Sequence, residues 1–226
     1  MHDVDVTVVS TGFRAATKER CLDSVAAQRG IRVDHVYVEA SEQSPPRTPL
    51  QNQYDSIATL PPTRVVVLLD GDDWLANSHC LQRVVEEHED GAWVTYGSFV
   101  YANGRPGFAA PVGGHPRRLP WTSTHLKSLR AGLVQRIRMA DMMAPEKSPL
   151  RGEGGWLWAA ADVALMLPCL EMASPSRARF LSDILCIYET AGSWHVSAAP
   201  EKRGLEAASA RYIRSFAPYR PLESLS

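Results

Sequence analysis

Runs of apolar, β-branched residues alternate with amphipathic segments over the first seventy residues. Val4–Val9 predicts a buried strand and Ile31–Val38 a second strand, and the apolar positions of Thr17–Gln28 fall on one face of a helix. This strand–helix–strand order favours parallel pairing through a right-handed crossover. Arg64–Leu69 is a third apolar run and is typical of a strand that is buried on both faces. The pattern predicts an α/β domain with a Rossmann-like, mostly parallel central sheet flanked by helices.

The rest of the chain mixes shorter elements with loops that are rich in glycine and proline. The predicted elements are a short helix over 51–58, a helix from Asn77 to Glu89, strands within Trp93–Tyr101, a helix over Leu126–Ile137, a helix from Asp162 that stops at Pro168, a strand over Phe180–Tyr188 and a helix over Leu205–Phe216. We interpret residues 1–197 as a single domain and residues 198–226 as a C-terminal tail with one helix.

Composition supports a folded core and narrows the setting. The 226 residues are 45% hydrophobic and 22% charged, and the net charge of −1 gives no sign of a polyanionic partner. Four widely spaced cysteines, without a CxxC pair, indicate reduced buried thiols rather than a disulfide or a zinc site. We expect no signal peptide, because the start of the chain has no apolar stretch of the signal type. We expect no transmembrane segment either, because the most apolar stretch, residues 156–173, carries two carboxylates and a proline. Both expectations favour a cytoplasmic protein.

Three carboxylates follow directly after the apolar run that ends at Leu69. Asp70, Asp72 and Asp73 would lie at the carboxyl end of a buried strand, where open α/β sheets bind their ligands. Carboxylates this close repel one another and need a cation or strong hydrogen-bond donors. Mg²⁺ or Mn²⁺ suits such oxygen ligands and would bridge to phosphates. The plainer interpretation is a solvated acidic turn.

Other acidic and phosphate-binding motifs do not fit this segment. A calcium-binding loop needs Glu at its twelfth position, but counting from Asp70 or Asp72 gives Leu81 or Arg83. The sequence contains neither GxxxxGK[ST] nor GxGxxG, which argues against a P-loop enzyme and against a nicotinamide-dependent Rossmann enzyme.

The order of these strand ends resembles the family 2-type glycosyltransferases of the GT-A fold. Ser10-Thr11 ends the first strand, Glu39 ends the second, and the segment Asp70–Asp73 is similar to that family's DxD motif. The resemblance implies a nucleotide-sugar half over about 1–100 and an acceptor half over about 101–197. It also implies donor contacts from these residues: Ser10, Thr11, Glu39, Asp70, Asp72 and Trp158.

A second part of the resemblance lies in a glycine-containing loop and the aspartate that follows it. Gly154–Asp162 is similar to the family's loop and "ED" motif, here reduced to Ala161-Asp162, and the motif's aspartate is the catalytic base of inverting members. Asp162 inherits that role. His195 matches a late histidine that many GT-A enzymes bring to the metal, so the implied ligands of Mn²⁺ or Mg²⁺ are Asp72 and His195. The implied reaction is inverting transfer of a hexose from a UDP-linked sugar to an acceptor hydroxyl.

A basic segment separates Asp90 from Asp141 and has no acidic residue. If its charges shared one face, an anionic acceptor could dock there, such as DNA with a 5-hydroxymethylated pyrimidine, or an anionic glycan. A solvated loop and helix is the plainer interpretation. The candidate acceptor-binding residues are Arg117, Arg118, His125 and Trp156.

Two other functions and several structural explanations stay open on sequence alone. A sugar-nucleotide nucleotidyltransferase can use the same sheet and metal chemistry, although Ser10–Arg14 has a single glycine where such enzymes have a glycine-rich loop. A non-catalytic nucleotide- or sugar-binding module would keep the donor site without a base. Asp162 could simply favour a helix N-terminus, Ser10 and Thr11 could cap a turn, and the tryptophans could be core residues.

Overall fold

The computed structural model describes residues 6–12, 15–39, 47–190 and 200–225. The strands of this part of the chain are β1 (Val6–Gly12), β2 (Val33–Glu39), β3 (Val65–Leu68), β4 (Trp74–Leu75), β5 (Val94–Tyr101), β6 (Lys127–Arg130) and β7 (Ala178–Tyr188). The helices are α1 (Ala15–Ala26), α2 (Pro49–Ala58), α3 (Cys80–Glu89), α4 (Ala131–Val134), α5 (Met139–Met142), α6 (Ala161–Arg177) and α7 (Pro200–Arg214), with a 3₁₀ turn at Glu153–Gly155. None of the described helices is long and apolar enough to cross a membrane.

These strands form one mixed sheet in the order β2-β1-β3-β6-β5-β7-β4. The pairs β1–β2, β1–β3 and β5–β7 are parallel, whereas β3–β6, β5–β6 and β4–β7 are antiparallel. The predicted fold class, a single α/β domain with a helix-flanked central sheet, is confirmed. The parallel pairing of β1, β2 and β3 brings the ends of these three strands to one edge of the sheet.

Alternate side chains of the central strands pack into two separate hydrophobic layers, one on each face of the sheet. Val65 and Val67 of β3 pack with residues of α1 and α3, whereas Val66 and Leu68 pack with α2, α4 and α6. All four side chains are at most 3% exposed. This two-sided burial explains why the strand is a continuous apolar run, and it fixes which way the residues after Leu68 leave the sheet.

The predicted helix over Leu126–Ile137 is wrong in its first half. Residues Lys127–Arg130 form β6, which pairs with β3 on one side and with β5 on the other, and the helical turn α4 begins only at Ala131. Lys, Leu and Arg favour a helix, so pairing with the two flanking strands overrides the local preference of this segment. The correction matters because β6 lies directly beside the strand that carries the acidic cluster.

The helix that begins near Asp162 continues well beyond the predicted stop at Pro168. Helix α6 contains Pro168 and continues to Ala173, and a kink at Ser174, where φ is 61°, separates it from a last turn that ends at Arg177. A proline inside a helix costs ~3 kcal/mol. Burial offsets that cost, because the residues from Val163 to Ala173 are buried in the larger hydrophobic layer.

The C-terminal tail packs onto α6. The predicted tail helix corresponds to α7, and Ile213 and Leu225 are buried in the same hydrophobic layer as α6. The backbone N–H of Leu222 donates to the carbonyl of Met172 at 2.9 Å. In the described residues, the tail therefore contributes to the core of the second half of the chain.

Candidate functional site

The acidic segment lies on top of the end of β1. The N–H of Gly71 donates to the carbonyl of Thr11 at 3.0 Å, and the N–H of Asp73 donates to that of Asp70 at 3.0 Å, which closes a turn. A Cβ on Gly71 would lie 2.6 Å from the Cα of Gly12 and 2.8 Å from Tyr37 Oη, so only glycine fits here. This close approach holds the carboxylates at the edge where the parallel strands end.

The three carboxylates of the turn differ in burial. Asp70 and Asp72 are partly exposed, whereas Asp73 is fully buried and accepts the N–H of Glu189 on Oδ1 at 2.9 Å. Burial raises the pKa of the Asp73 carboxyl well above its usual value, and the charges of Asp70 and Asp72 raise it further. Asp73 thus joins the turn to the end of β7, and the other two carboxylates remain accessible to a ligand.

Lys127 lies among these carboxylates, and the sequence analysis did not assign it to the site. Lys127 on β6 pairs with Leu68 on β3, and Leu68 lies two residues before Asp70 in the chain. Lys127 is 5% exposed. Burial alone would lower its pKa, but the nearby carboxylates of Asp162, Asp70 and Asp73 outweigh burial, so the pKa is raised. Lys127 is therefore a buried ammonium ion that partly neutralises the cluster.

Asp162 belongs to the same charge cluster, as the resemblance implied. It is the second residue of α6, and its Oδ1 accepts the N–H of Val163 at 2.8 Å. Its Oδ2 accepts the indole N–H of Trp121 at 3.1 Å, and its charge acts on Lys127. The fold thus brings the candidate base to the DxD-like segment from an element about ninety residues further along the chain.

The other predicted donor contacts near β1 and β2 are less accessible. Ser10 is fully buried and its hydroxyl lies 3.0 Å from Nε2 of His35, so it joins β1 to β2 rather than facing a ligand. Thr11 is buried as well. Glu39, at the end of β2, forms a 2.9 Å ion pair with Lys18 and stays partly exposed at the same edge as the turn.

The two tryptophans of the glycine-containing loop have different environments. Trp156 is 7% exposed and packs against Tyr54 at a ring distance of 5.4 Å, which makes it a core residue rather than an acceptor platform. Trp158 is partly exposed, and its backbone N–H donates to the carbonyl of Leu150. Of the pair, Trp158 alone keeps a ring surface that a donor could contact.

The predicted basic acceptor face is not formed as expected. The Arg117 guanidinium forms a two-point ion pair with Glu171, at 2.7 and 2.9 Å, and a third bond to the carbonyl of Ile213. Its side chain is 9% exposed, so Arg117 is a packing residue. Arg118 is exposed and, with Arg214, lines a cleft of about 640 Å³ between the 112–118 segment, α6 and the tail.

His125, predicted as an acceptor contact, faces the acidic turn. Its Nδ1 lies 3.7 Å from Oδ2 of Asp73, and its ring packs between those of Phe99 and Tyr188. His195, the predicted second metal ligand, lies outside the described residues. The predicted site residues that the fold brings together are therefore Asp70, Asp72, Asp162 and His125.

Similarity to known proteins is found in structure and not in sequence. No family model matches the chain, and no curated protein matches it significantly. A crystal structure of S. aureus TarS residues 1–349 superimposes with a TM-score of 0.51 at 14% identity, covering 82% of this chain and 60% of TarS. TarS has the same fold.

Two further TarS structures contain nucleotides. The complex with UDP gives the same values, and the complex with UDP-GlcNAc gives a TM-score of 0.52 at 14% identity, covering 86% of this chain and 61% of TarS. The chain spans less than two thirds of the length of these TarS chains. At this level of identity the similarity shows a shared fold.

Proposed function

We propose that this chain is a metal-dependent, inverting glycosyltransferase that moves a hexose from a UDP-linked sugar to an acceptor hydroxyl. The observation that carries the proposal is the meeting of Asp162 with Asp70 and Asp73 around Lys127, at the carboxyl edge of the parallel strands. This edge is where α/β sheets bind nucleotides. Support also comes from the fold shared with TarS, which has been crystallised with UDP and UDP-GlcNAc.

The donor half of the proposed site consists of the acidic turn and the end of β2. Asp70 and Asp72 are the accessible carboxylates, and an all-oxygen set of this kind fits Mg²⁺ or Mn²⁺. When bound, the ion would neutralise the charge that develops on the departing diphosphate. Asp72 would hold this ion, Asp70 would face the ribose, and Glu39 and Trp158 would contact the nucleoside and sugar.

The acceptor half of the proposed site is organised around Asp162. Its carboxylate would take the proton of the acceptor hydroxyl as that oxygen attacks the anomeric carbon from the face opposite the diphosphate. Trp121 holds Oδ2 of Asp162 in place, and the Asp162 charge acts on the buried Lys127 ammonium group beside the acidic turn. These two contacts orient the Asp162 carboxylate and tie it to the donor half of the proposed site.

The acceptor is proposed only as a class. The burial of Arg117 in its pair with Glu171 removes one charge from the face that was expected to bind an anionic surface. A glycan hydroxyl and a hydroxymethylated pyrimidine in DNA are both acceptors to be screened, with Arg118 and the adjoining cleft as the exposed part of that face.

The experiment that tests the donor site is a thermal-shift screen with and without Mn²⁺. The ligands are nucleoside diphosphates, nucleotide sugars, nucleoside triphosphates and sugar 1-phosphates. A ligand that binds the folded protein raises its melting temperature. At a ligand concentration of 100 times Kd the free energy of unfolding increases by ~2.7 kcal/mol. We expect an Mn²⁺-dependent shift with UDP or a UDP-sugar that is lost in Asp72→Ala. Asp23→Ala, which removes an exposed carboxylate of α1, is the matched control and should keep the shift.

The outcomes of this screen separate the candidate functions. No shift with any donor contradicts the proposed donor site. A shift with nucleoside triphosphates and sugar 1-phosphates, together with their turnover, would identify a nucleotidyltransferase instead. Donor binding without donor hydrolysis or transfer, for every acceptor class, would identify a binding module.

A further inference from the structure

Three different metal-binding side chains meet behind the acidic turn. Asp73 comes from the turn, His125 from the segment before β6, and Cys186 from β7, and one ligand atom of each lies within 4.8 Å of the others. Asp73 and Cys186 are fully buried, and the His125 side chain is 14% exposed. The cluster is separate from Asp72, the carboxylate to which the donor metal is assigned above.

One oxygen of Asp73 points into this cluster without a hydrogen bond. Its Oδ1 accepts the N–H of Glu189, but its Oδ2 is buried and has no hydrogen-bond partner among the described residues. A buried polar atom left in this state costs free energy and calls for a ligand or ion. Nδ1 of His125 lies 3.7 Å from this oxygen, which is too long for a hydrogen bond.

That separation suits two ligands of one tetrahedral ion. An oxygen and a nitrogen that each lie about 2.0–2.2 Å from a tetrahedral zinc are about 3.3–3.6 Å apart, so only a small movement of either side chain would bring these two atoms to the ion. With a neutral imidazole, a divalent ion would balance the charges of the Asp73 carboxylate and the Cys186 thiolate. The Lys127 ammonium and the Asp70 carboxylate, which act on both groups with opposite signs, partly offset each other. The sulfur and nitrogen ligands favour zinc over Mg²⁺ or Mn²⁺, which prefer oxygen ligands alone.

We propose that Asp73, His125 and Cys186 form a second metal site that binds zinc, distinct from the donor-metal position at Asp72. Three protein ligands leave the fourth position to water. The ion joins the acidic turn, the approach to β6 and β7, and so holds Asp70 and Asp72 in place from behind. The prediction of four free, buried cysteines is confirmed, and the proposal adds a ligand role for one of them, Cys186.

Titration of the full chain with Co²⁺, after treatment with a chelator, tests the site directly. Co²⁺ replaces zinc and gives a thiolate-to-cobalt absorption band when a cysteine sulfur is bound. We expect this band at one Co²⁺ per chain in the wild type, its loss in Cys186→Ser and its weakening in His125→Ala. Zinc should displace the Co²⁺ and abolish the band.

The controls separate this site from the donor site and from loss of folding. Cys169→Ser changes an equally buried thiol outside the cluster and should keep the band, as should Asp72→Ala. Zinc K-edge absorption of the wild type needs no variant and should show one sulfur with nitrogen and oxygen ligands. Absence of the cobalt band, its survival in Cys186→Ser, or a zinc shell without sulfur would overturn the proposal.

Discussion

At the residue scale, charge balance explains the candidate site better than any motif does. Asp70, Asp73 and Asp162 act on one buried ammonium ion, that of Lys127. Carboxylates that are held close together disfavour ionisation unless a cation is present. Lys127 supplies part of that positive charge permanently, and the rest can come from a bound divalent ion. The segment Asp70–Asp73 is therefore one side of a charge cluster whose other members come from β6 and α6.

Asp162→Asn gives the most specific residue-scale prediction. The amide oxygen can still accept an N–H from Trp121 or Val163 but cannot take a proton, so we expect transfer to fall by about 10²–10⁴-fold while donor binding is unchanged. Initial rates with the identified donor and acceptor, together with donor thermal shifts, measure the two effects. Asp183→Asn, on the exposed part of β7, is the control, and undiminished transfer in Asp162→Asn would assign the base to another residue.

At the element scale, long apolar runs were predictable and short strands were not. The runs in β1 and β3 and the alternation of strand and helix predicted the parallel part of the sheet, and the end of β3 predicted the acidic edge. The conformation of Lys127–Arg130 depends on the two strands that flank it, so its four residues alone could not distinguish a strand from a helix. Lys127 was missed for that reason, and Arg117 was misinterpreted because its partner Glu171 is far away in the sequence.

The turn between β3 and β4 gives a prediction at this scale. In Gly71→Ala the added methyl would collide with the Gly12 backbone, and relieving the clash should cost ~1–3 kcal/mol of stability. The movement should also displace Asp70 and Asp72 and weaken donor binding. Urea unfolding and donor thermal shifts measure both effects, with Gly114→Ala as control, because a Cβ there meets no atom within 4 Å. Wild-type behaviour of Gly71→Ala would show that the turn is looser than described.

At the scale of the whole molecule, buried polar contacts hold the second half together. Arg117 pairs with Glu171 of α6 and donates to the carbonyl of Ile213 in α7, and Arg214 donates to the carbonyls of Pro116 and Arg117. These bonds attach the long 104–122 loop to two helices. Trp121 belongs to this loop and its indole N–H donates to Oδ2 of Asp162, so the contacts that hold the loop also help to position the candidate base.

Arg117→Ala tests whether this residue is structural. The change leaves the Glu171 carboxylate buried without its partner, so we expect a loss of about 3–5 kcal/mol in the free energy of unfolding. The double variant Arg117→Met/Glu171→Leu should recover most of that loss, and Arg118→Ala should stay within about 0.5 kcal/mol of the wild type. Urea unfolding of the wild type and the three variants measures these free energies. If Arg117→Ala were as stable as the wild type, Arg117 would again be a candidate acceptor contact.

The position of β6 has a consequence for how the chain folds. β3 and β5 both precede β6 in the sequence, yet in the sheet β6 lies between them. As the chain emerges, the two parts of the sheet therefore have open facing edges until residues 127–130 arrive, and pairing over such separations is slow. The strand that closes this gap also carries Lys127, so the charge cluster cannot assemble before β3 and β5 are joined, and it is complete only when Asp162 of α6 follows.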